Sequence, residues 1–368
     1  MDIYGERINA ARDLMRRQSF DYLLIGPSAN MYYFSGLNTS PDERLQLLII
    51  PASAEKHPAA LLPEMYLQKA KEVIASTYSL HAWPDNADPF AMAGDLIGNN
   101  GRMRILIDDT MRSDHLIGLG KALGEAEFEP ASLVVSSLRA YKDNSEVELM
   151  REAGRAADRV MEKVREEIKP GMSESELSLL IEIEYRQQAD DISFKPIVAS
   201  GPHAAQPHHS TGSRRFEVGD LIVVDCGALY RGYCSDITRT FCLGKADPEM
   251  KKVYSVVQEA NAAAFRALEE RGSLSGEELD AAARLVITEA GYGQYFIHRT
   301  GHGIGLEVHE EPYIVEGNRE PLRQGNAFTI EPGIYLPGRF GVRIEDVAVI
   351  TGAGPERLTS YERGLIEL

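Results

Sequence analysis

Residues 221–241 read LIVVDCGALYRGYCSDITRTF, two apolar and β-branched runs on either side of Tyr230-Arg231-Gly232. Val, Ile, Thr and Tyr suit a pleated, half-buried ladder, and a glycine-bearing break between two such runs predicts a β-hairpin. Centred between residues 230 and 231, the hairpin puts Asp225 and Asp236 equally far from its tip and directly opposite each other. Like charges facing across a ladder, with Cβ atoms about 4.5–5.5 Å apart, destabilise it, and a cation between them reverses the sign. The segment Gly325–Thr351 repeats the arrangement, because Glu331 in FTIEPGIY and Glu345 in GVRIEDVAV are equidistant from Gly338 in the turn Pro337-Gly338-Arg339. A single acid on a strand is ordinarily solvent-facing. Two hairpins that each oppose acids among apolar neighbours point instead to a shared purpose. Both alignments assume an unbroken ladder, and Pro332 beside Glu331 marks where a bulge would interrupt one.

Working outward, residues 298–312 read HRTGHGIGLEVHEEP, with His302 between Gly301 and Gly303, where missing side chains let an imidazole approach a site closely. Two Asp, two Glu and one His form an oxygen-rich donor set that suits divalent Mn, Co, Fe or Zn, and carboxylates can bridge two ions roughly 3.5–4 Å apart. Four ionised carboxylates balance the charge of two divalent cations, which a partly buried site demands. A dinucleotide loop is a weaker reading of GHGIG, since Pro312 interrupts any following helix. His309-Glu310-Glu311-Pro312 is not the HExxH of a thermolysin-like zinc site. Cys226 follows Asp225 and so projects to the other strand face. Cys226, Cys234 and Cys242 read as buried, reduced thiols, with no disulfide framework, which fits a cytoplasmic protein.

The 368 residues predict about two domains. Lys+Arg 39 against Asp+Glu 56 leaves a net charge of −17, which argues against phosphate backbones and anionic membranes as partners. The opening MDIYGERINAARDLMRR is charged throughout, and no apolar run approaches ~18 residues, so neither a secretion signal nor a membrane span is expected. A helix-like stretch, Gly5 to Gln18, and apolar runs at 21–26, 45–51 and 104–108 predict a small α/β domain over residues 1–137. Residues 138–368 change character. Ser145-x-x-Glu148 predicts a capping box opening a helix to about Ile168, stopped by Lys169-Pro170-Gly171. Further starts are predicted at Ser173-x-x-Glu176, at Asp247 with Pro248 in the first turn, and at Ser275-x-x-Glu278 with closure at Gly291. Four helices with the two hairpins make this domain α+β.

These residues together resemble the metal-dependent Xaa-Pro peptidases of the pita-bread fold, the family containing prolidase, aminopeptidase P and, more distantly, methionine aminopeptidase. HRTGHGIGLEVHE, residues 298–310, is similar to the family signature at each constrained position, and Asp225, Asp236, His302, Glu331 and Glu345 match its five metal ligands in order. The resemblance implies a pita-bread catalytic domain behind a smaller, creatinase-like α/β domain. It implies two divalent cations, manganese first, with cobalt, zinc or iron as alternatives: Asp225 on one, Asp236 and Glu345 between them, His302 and Glu331 on the other. It also implies catalytic roles for His208 in AQPHHST, chosen over His209 because it directly follows Pro207, and for His309, Arg343 and Glu331, the last as proton shuttle. The implied substrate is a proline-containing peptide. Xaa-Pro dipeptides come first because the chain is compact for the family, and longer Xaa-Pro peptides, as for an aminopeptidase P, come second. No Arg matches a substrate-carboxylate site, although Arg319 and Arg323 lie near the motif. A homodimer is the family expectation. Creatinase shares the fold but lacks the ligand set, and a non-catalytic binding protein is disfavoured for the same reason.

Overall fold

The computed structural model describes residues 3–98, 101–272 and 274–368. The chain divides into two compact units, Met1–Arg139 and Ala140–Leu368. In the first, a mixed six-stranded sheet runs in the order Ser79–Trp83, Ala59–Pro63, Leu47–Pro51, Tyr22–Ile25, Arg104–Ile107, Glu127–Pro130. The three apolar runs read from the sequence are its central strands, almost wholly buried and therefore apolar without alternation. The outer strands Ser79–Trp83 and Glu127–Pro130 are half-exposed and carry too little pattern to be recognised. The expected first helix spans Ile3–Arg17.

In the second unit, two helix pairs back two sheets. Asn144–Glu167 and Glu174–Gln188 cover the four-stranded sheet Ile366–Glu367, Ile237–Cys242, Leu221–Cys226, Ile197–Ser200, through Val160, Ile181, Tyr185, Val224 and Ile237. Pro248–Arg271 and Gly276–Glu289 share a core with residues of the second sheet, Glu310–Ile314, Gly301–Gly303, Ala327–Ile330, Asp346–Thr351, Gly354–Arg357, and of the hairpin Gly333–Leu336/Phe340–Arg343. The sheets meet where the Glu345 amide donates to the Thr238 carbonyl at 3.1 Å.

Capping chemistry sets the helix ends. Ser173 and Ser275 form the expected reciprocal boxes with Glu176 and Glu278, and Asp247 caps a helix with Pro248 in its first turn. The box expected at Ser145 lies two residues earlier: Asp143 caps the helix and Glu146 answers it. Asp143 Oδ1 accepts the Ser145 and Glu146 amides, so a carboxylate outcompetes the hydroxyl for the same orphan donors.

The first hairpin differs from expectation by one step. Tyr230 pairs with Tyr233 across a two-residue loop in which Arg231 and Gly232 take φ of 48° and 85°, the left-handed pair whose twist matches the flanking strands. Asp225 therefore faces Thr238, and Asp236 falls opposite Gly227, two positions along the same face. A Cβ at Gly227 would overlap the Ser235 carbonyl, so glycine lets the strands close there. The second hairpin is centred on Gly338 as expected. Gly333 pairs with Arg343 and Ile330 with Asp346, one register on both sides of a short break at Glu331-Pro332, so Glu331 and Glu345 are opposed.

Behind Glu345, Asp346 is enclosed by three guanidinium groups, those of Arg239 at 2.8 Å, Arg357 at 2.6 Å and Arg363 at 2.6 Å. Arg239 also donates to the carbonyls of Glu345, Tyr361 and Glu362, tying the C-terminal segment to the strand. Burial alone would raise the Asp346 pKa, but Arg239, Arg363 and Arg357 hold it well below the usual carboxylate range. A depressed folded-state pKa stabilises the protein above the unfolded value of about 3.9 and loses that contribution as pH falls below it. Asp346→Asn is expected to cost about 3–5 kcal/mol in urea unfolding near neutrality. The gap from wild type should narrow as the same measurement is carried below about pH 4; a constant gap would show that charge is not the cause.

Candidate metal centre

Asp225, Asp236, His302, Glu331 and Glu345 all line one cavity of about 630 Å³ within the second unit, together with His208, His309 and Arg343. The first hairpin brings Asp225 and Asp236, the second Glu331 and Glu345, and the Gly301–Gly303 strand His302. His302 is buried, its Nε2 lying 3.3 Å from Glu331 Oε1 and 3.8 Å from Asp236 Oδ2. Its Nδ1–H donates to the Gly303 carbonyl at 3.1 Å, which leaves the Nε2 lone pair facing the acids. Ligand atoms of Asp236, His302 and Glu345 stand within 4.8 Å of one another.

The electrostatics of this cluster are those of a site short of positive charge. Burial, then Glu345 and the other acids, push Asp236 well above its ordinary pKa. Burial, followed by Glu331 and Asp225, does the same to Glu345, and burial pushes Glu331 up to about 7 against the pull of Arg343. Arg343 bonds Asp225 Oδ2 at 2.6 Å, and the Thr238 hydroxyl donates to Glu345 Oε2 at 2.6 Å. Among the described residues, Asp225 Oδ1 and Asp236 Oδ1 are buried with no hydrogen-bond partner. Orphaned carboxylate oxygens facing a deprotonated imidazole nitrogen are what a cation-binding set looks like, and the hard oxygen donors with one imidazole fit a pair of divalent ions.

Two expected neighbours converge on the same cavity. His309 stands edge-on to His302 with ring centroids 4.2 Å apart, and His208 enters beside Pro207. His209 turns away to bond Glu174 Oε2 at 2.9 Å. Arg319 is instead exposed and pairs with Glu277.

The family model described as metallopeptidase family M24 matches residues 148–352, and that for the creatinase/prolidase N-terminal domain matches residues 7–141. The chain belongs to metallopeptidase family M24. An Xaa-Pro dipeptidase from Pyrococcus horikoshii is 36% identical over 100% of both chains. The crystal structure of a prolidase from Thermococcus sibiricus superimposes with a TM-score of 0.94 at 39% identity, covering 100% of each chain. That of an X-Pro aminopeptidase from Thermotoga maritima gives 0.84 at 32%, covering 97% of this chain and 100% of the other. The α+β organisation of this M24 protein, a pita-bread catalytic domain preceded by a creatinase-like α/β domain, is the one its sequence led us to expect.

Several residues in or beside the cavity were given no role by the sequence reading. Arg343 Nη1 donates to the Tyr335 hydroxyl at 2.9 Å, and Tyr335 in turn lies 2.9 Å from His298 Nε2, whose Nδ1 faces the Arg299 carbonyl at 2.7 Å. With Nδ1 protonated, the donors run in one direction, from Arg343 to Tyr335 to His298. Burial holds His298 neutral, down to about 4, and raises Tyr335 to about 12. The signal for Tyr335 was period-two alternation from Glu331, and Gly333 between them leaves the space its hydroxyl needs. Arg299 and Val308 lay inside the signature stretch without an assigned role, and the apolar walls Phe194 and Ile197 had no sequence signal. Tyr335→Phe leaves Arg343 and His298 each short of a partner, so a loss of about 1–3 kcal/mol is expected in thermal or urea unfolding. An unchanged midpoint would mean that the hydroxyl bridges nothing of consequence.

Proposed function

We propose that this protein hydrolyses the peptide bond of Xaa-Pro dipeptides, with Asp225, Asp236, His302, Glu331 and Glu345 holding two divalent cations. The observation that carries the proposal is the gathering of those five side chains around two orphaned carboxylate oxygens in one cavity. Those five side chains would together hold the pair, with manganese as the first candidate. When bound, such cations supply a Lewis acid for the scissile carbonyl and a water acidic enough to ionise near neutral pH.

The chain's own groups then divide the remaining work. A Glu331 carboxylate oxygen takes the proton of the attacking water and returns it to the proline nitrogen as that nitrogen leaves. The imidazole N–H groups of His309 and His208 meet the oxygen on which negative charge develops. Arg343 orients the Asp225 carboxylate through its 2.6 Å bond. An Xaa-Pro bond has no N–H for a peptidase to grip, so recognition must come from ring shape, and Phe194, Ile197 and Val308 furnish apolar wall for it.

Arg299 supports dipeptides over longer peptides. The residue lines the cavity and its guanidinium stacks on Tyr313 at 4.4 Å, and we assign that cation to the free carboxylate of a dipeptide. A charge-assisted bond contributes about 1.5–3 kcal/mol, roughly ten- to hundredfold in affinity. Arg299→Ala is therefore expected to raise KM for an Xaa-Pro dipeptide by about tenfold or more with kcat nearly kept. The tripeptide Xaa-Pro-Yaa should be a poor substrate, and cleavage of it without cleavage of the dipeptide would establish aminopeptidase specificity instead. Asp236→Asn is expected to lose bound metal, by elemental analysis, together with turnover, and normal turnover there would refute its place among the ligands. His309→Ala should keep its metal while kcat falls about a hundredfold; metal loss in that variant would make His309 a ligand.

A further inference from the structure

Apart from the cavity cluster, a second group of metal-ligating side chains lies on the segment that carries His208. Glu174, in the first turn of the Glu174–Gln188 helix, is fully buried. His203 Nδ1 lies 3.0 Å from its Oε1 and His209 Nε2 lies 2.9 Å from its Oε2. The two rings lie 4.4 Å apart at an interplanar angle of 32°. One ligand atom from each of the three residues falls within 4.8 Å of the others.

From this geometry we propose that Glu174, His203 and His209 form a separate binding site for a zinc-class divalent cation. Two imidazoles and one carboxylate, with a fourth position for water, are a donor set that zinc takes. Ligand atoms around a tetrahedral zinc at ~2.0–2.2 Å stand roughly 3.3–3.6 Å apart. The two imidazole nitrogens stand 2.9 and 3.0 Å from the two carboxylate oxygens, each a few tenths of an ångström inside that spacing, and one ligand atom per residue lies within 4.8 Å of the others. Each imidazole now directs one ring nitrogen at the carboxylate, and moving its proton to the other ring nitrogen frees the lone pair without changing its charge. The remaining bonds to Glu174 are already those that hold a ligating carboxylate in place: the Ser200 amide at 2.9 Å and hydroxyl at 2.8 Å on Oε1, and the Gly212 amide at 3.1 Å on Oε2. The His203 side chain is 36% exposed, which gives an ion entry and a water its place.

The consequence follows from chain order. His203 and His209 bracket Pro207 and His208, so a cation joining them to Glu174 cross-links the loop that delivers His208 to the cavity. This site is independent of the peptidase reading, and the two are tested by different quantities. The manganese-loaded protein is equilibrated with zinc near neutral pH, desalted and analysed for zinc, beside His203→Asn and His209→Gln, side chains that still donate to Glu174. Wild type is expected to hold one more zinc per chain than either variant, and amide hydrogen exchange over residues 200–212 to slow with zinc in wild type alone. Before zinc is added, His203→Asn should match wild type in manganese content and Xaa-Pro turnover. Equal zinc content in all three proteins, with the variants folded by circular dichroism, would overturn the site. Absence of Xaa-Pro turnover in every form would instead count against the proposed function and leave the zinc difference readable.

Discussion

Four carboxylates share one cavity, and their mutual repulsion in a poorly hydrated space is the constraint around which the catalytic unit is organised. Water would screen such charges, but burial removes it and raises Asp236, Glu331 and Glu345 above their ordinary pKa values. The protein offsets part of this itself. Arg343 pairs with Asp225, Thr238 donates to Glu345, and the Thr329 hydroxyl donates to Glu331 at 3.2 Å. Among the described residues, two buried oxygens of the cluster are still left without partners, and the positive charge that would meet them is that of the cations proposed for it.

Neighbouring residues on one strand show how local the control is. Glu345 and Asp346 are adjacent, so period-two alternation sends one to the cavity and the other to the back of the sheet. Glu345 meets other acids and its pKa rises, whereas Asp346 meets Arg239, Arg363 and Arg357 and its pKa falls. The second environment braces the first, because Arg239 also holds the carbonyls of Glu345 and Thr238. A strained set of charges in front is thus carried on a well-paired set behind, with the apolar cores of two helix pairs beneath both.

Rigidity extends from Asp225 through Arg343 and Tyr335 to His298, a run of buried hydrogen bonds whose donor order is set by the His298 contact with the Arg299 carbonyl. Arg299, next in the chain, then faces the cavity from a backbone fixed by that bond. One hydrogen-bonded path therefore runs from a proposed metal ligand to the residue proposed to receive the substrate carboxylate. His208 is held by different means, on a loop whose neighbours His203 and His209 both meet Glu174.

Much was legible in the sequence because the information is local. The glycine-bearing turns at Gly232 and Gly338, the alternation of the strands, and the caps at Ser173, Asp247 and Ser275 act over a few residues, and so does the spacing of His302 and His309. What failed did so where two local solutions differ little. Asp143 and Ser145 both suit a helix start, and moving the first hairpin's centre by one position changes which residue faces Asp225 from Asp236 to Thr238. The sequence by itself determined two hairpins carrying paired acids, four capped helices and an oxygen-rich donor set that calls for cations. Only the tertiary structure decided that both hairpins and the His302 strand meet in one cavity, that His298 and Arg299 line it, and that Tyr335 ties Arg343 to His298. Such meetings depend on packing between segments a hundred residues apart, and no local spacing or propensity carries that distance.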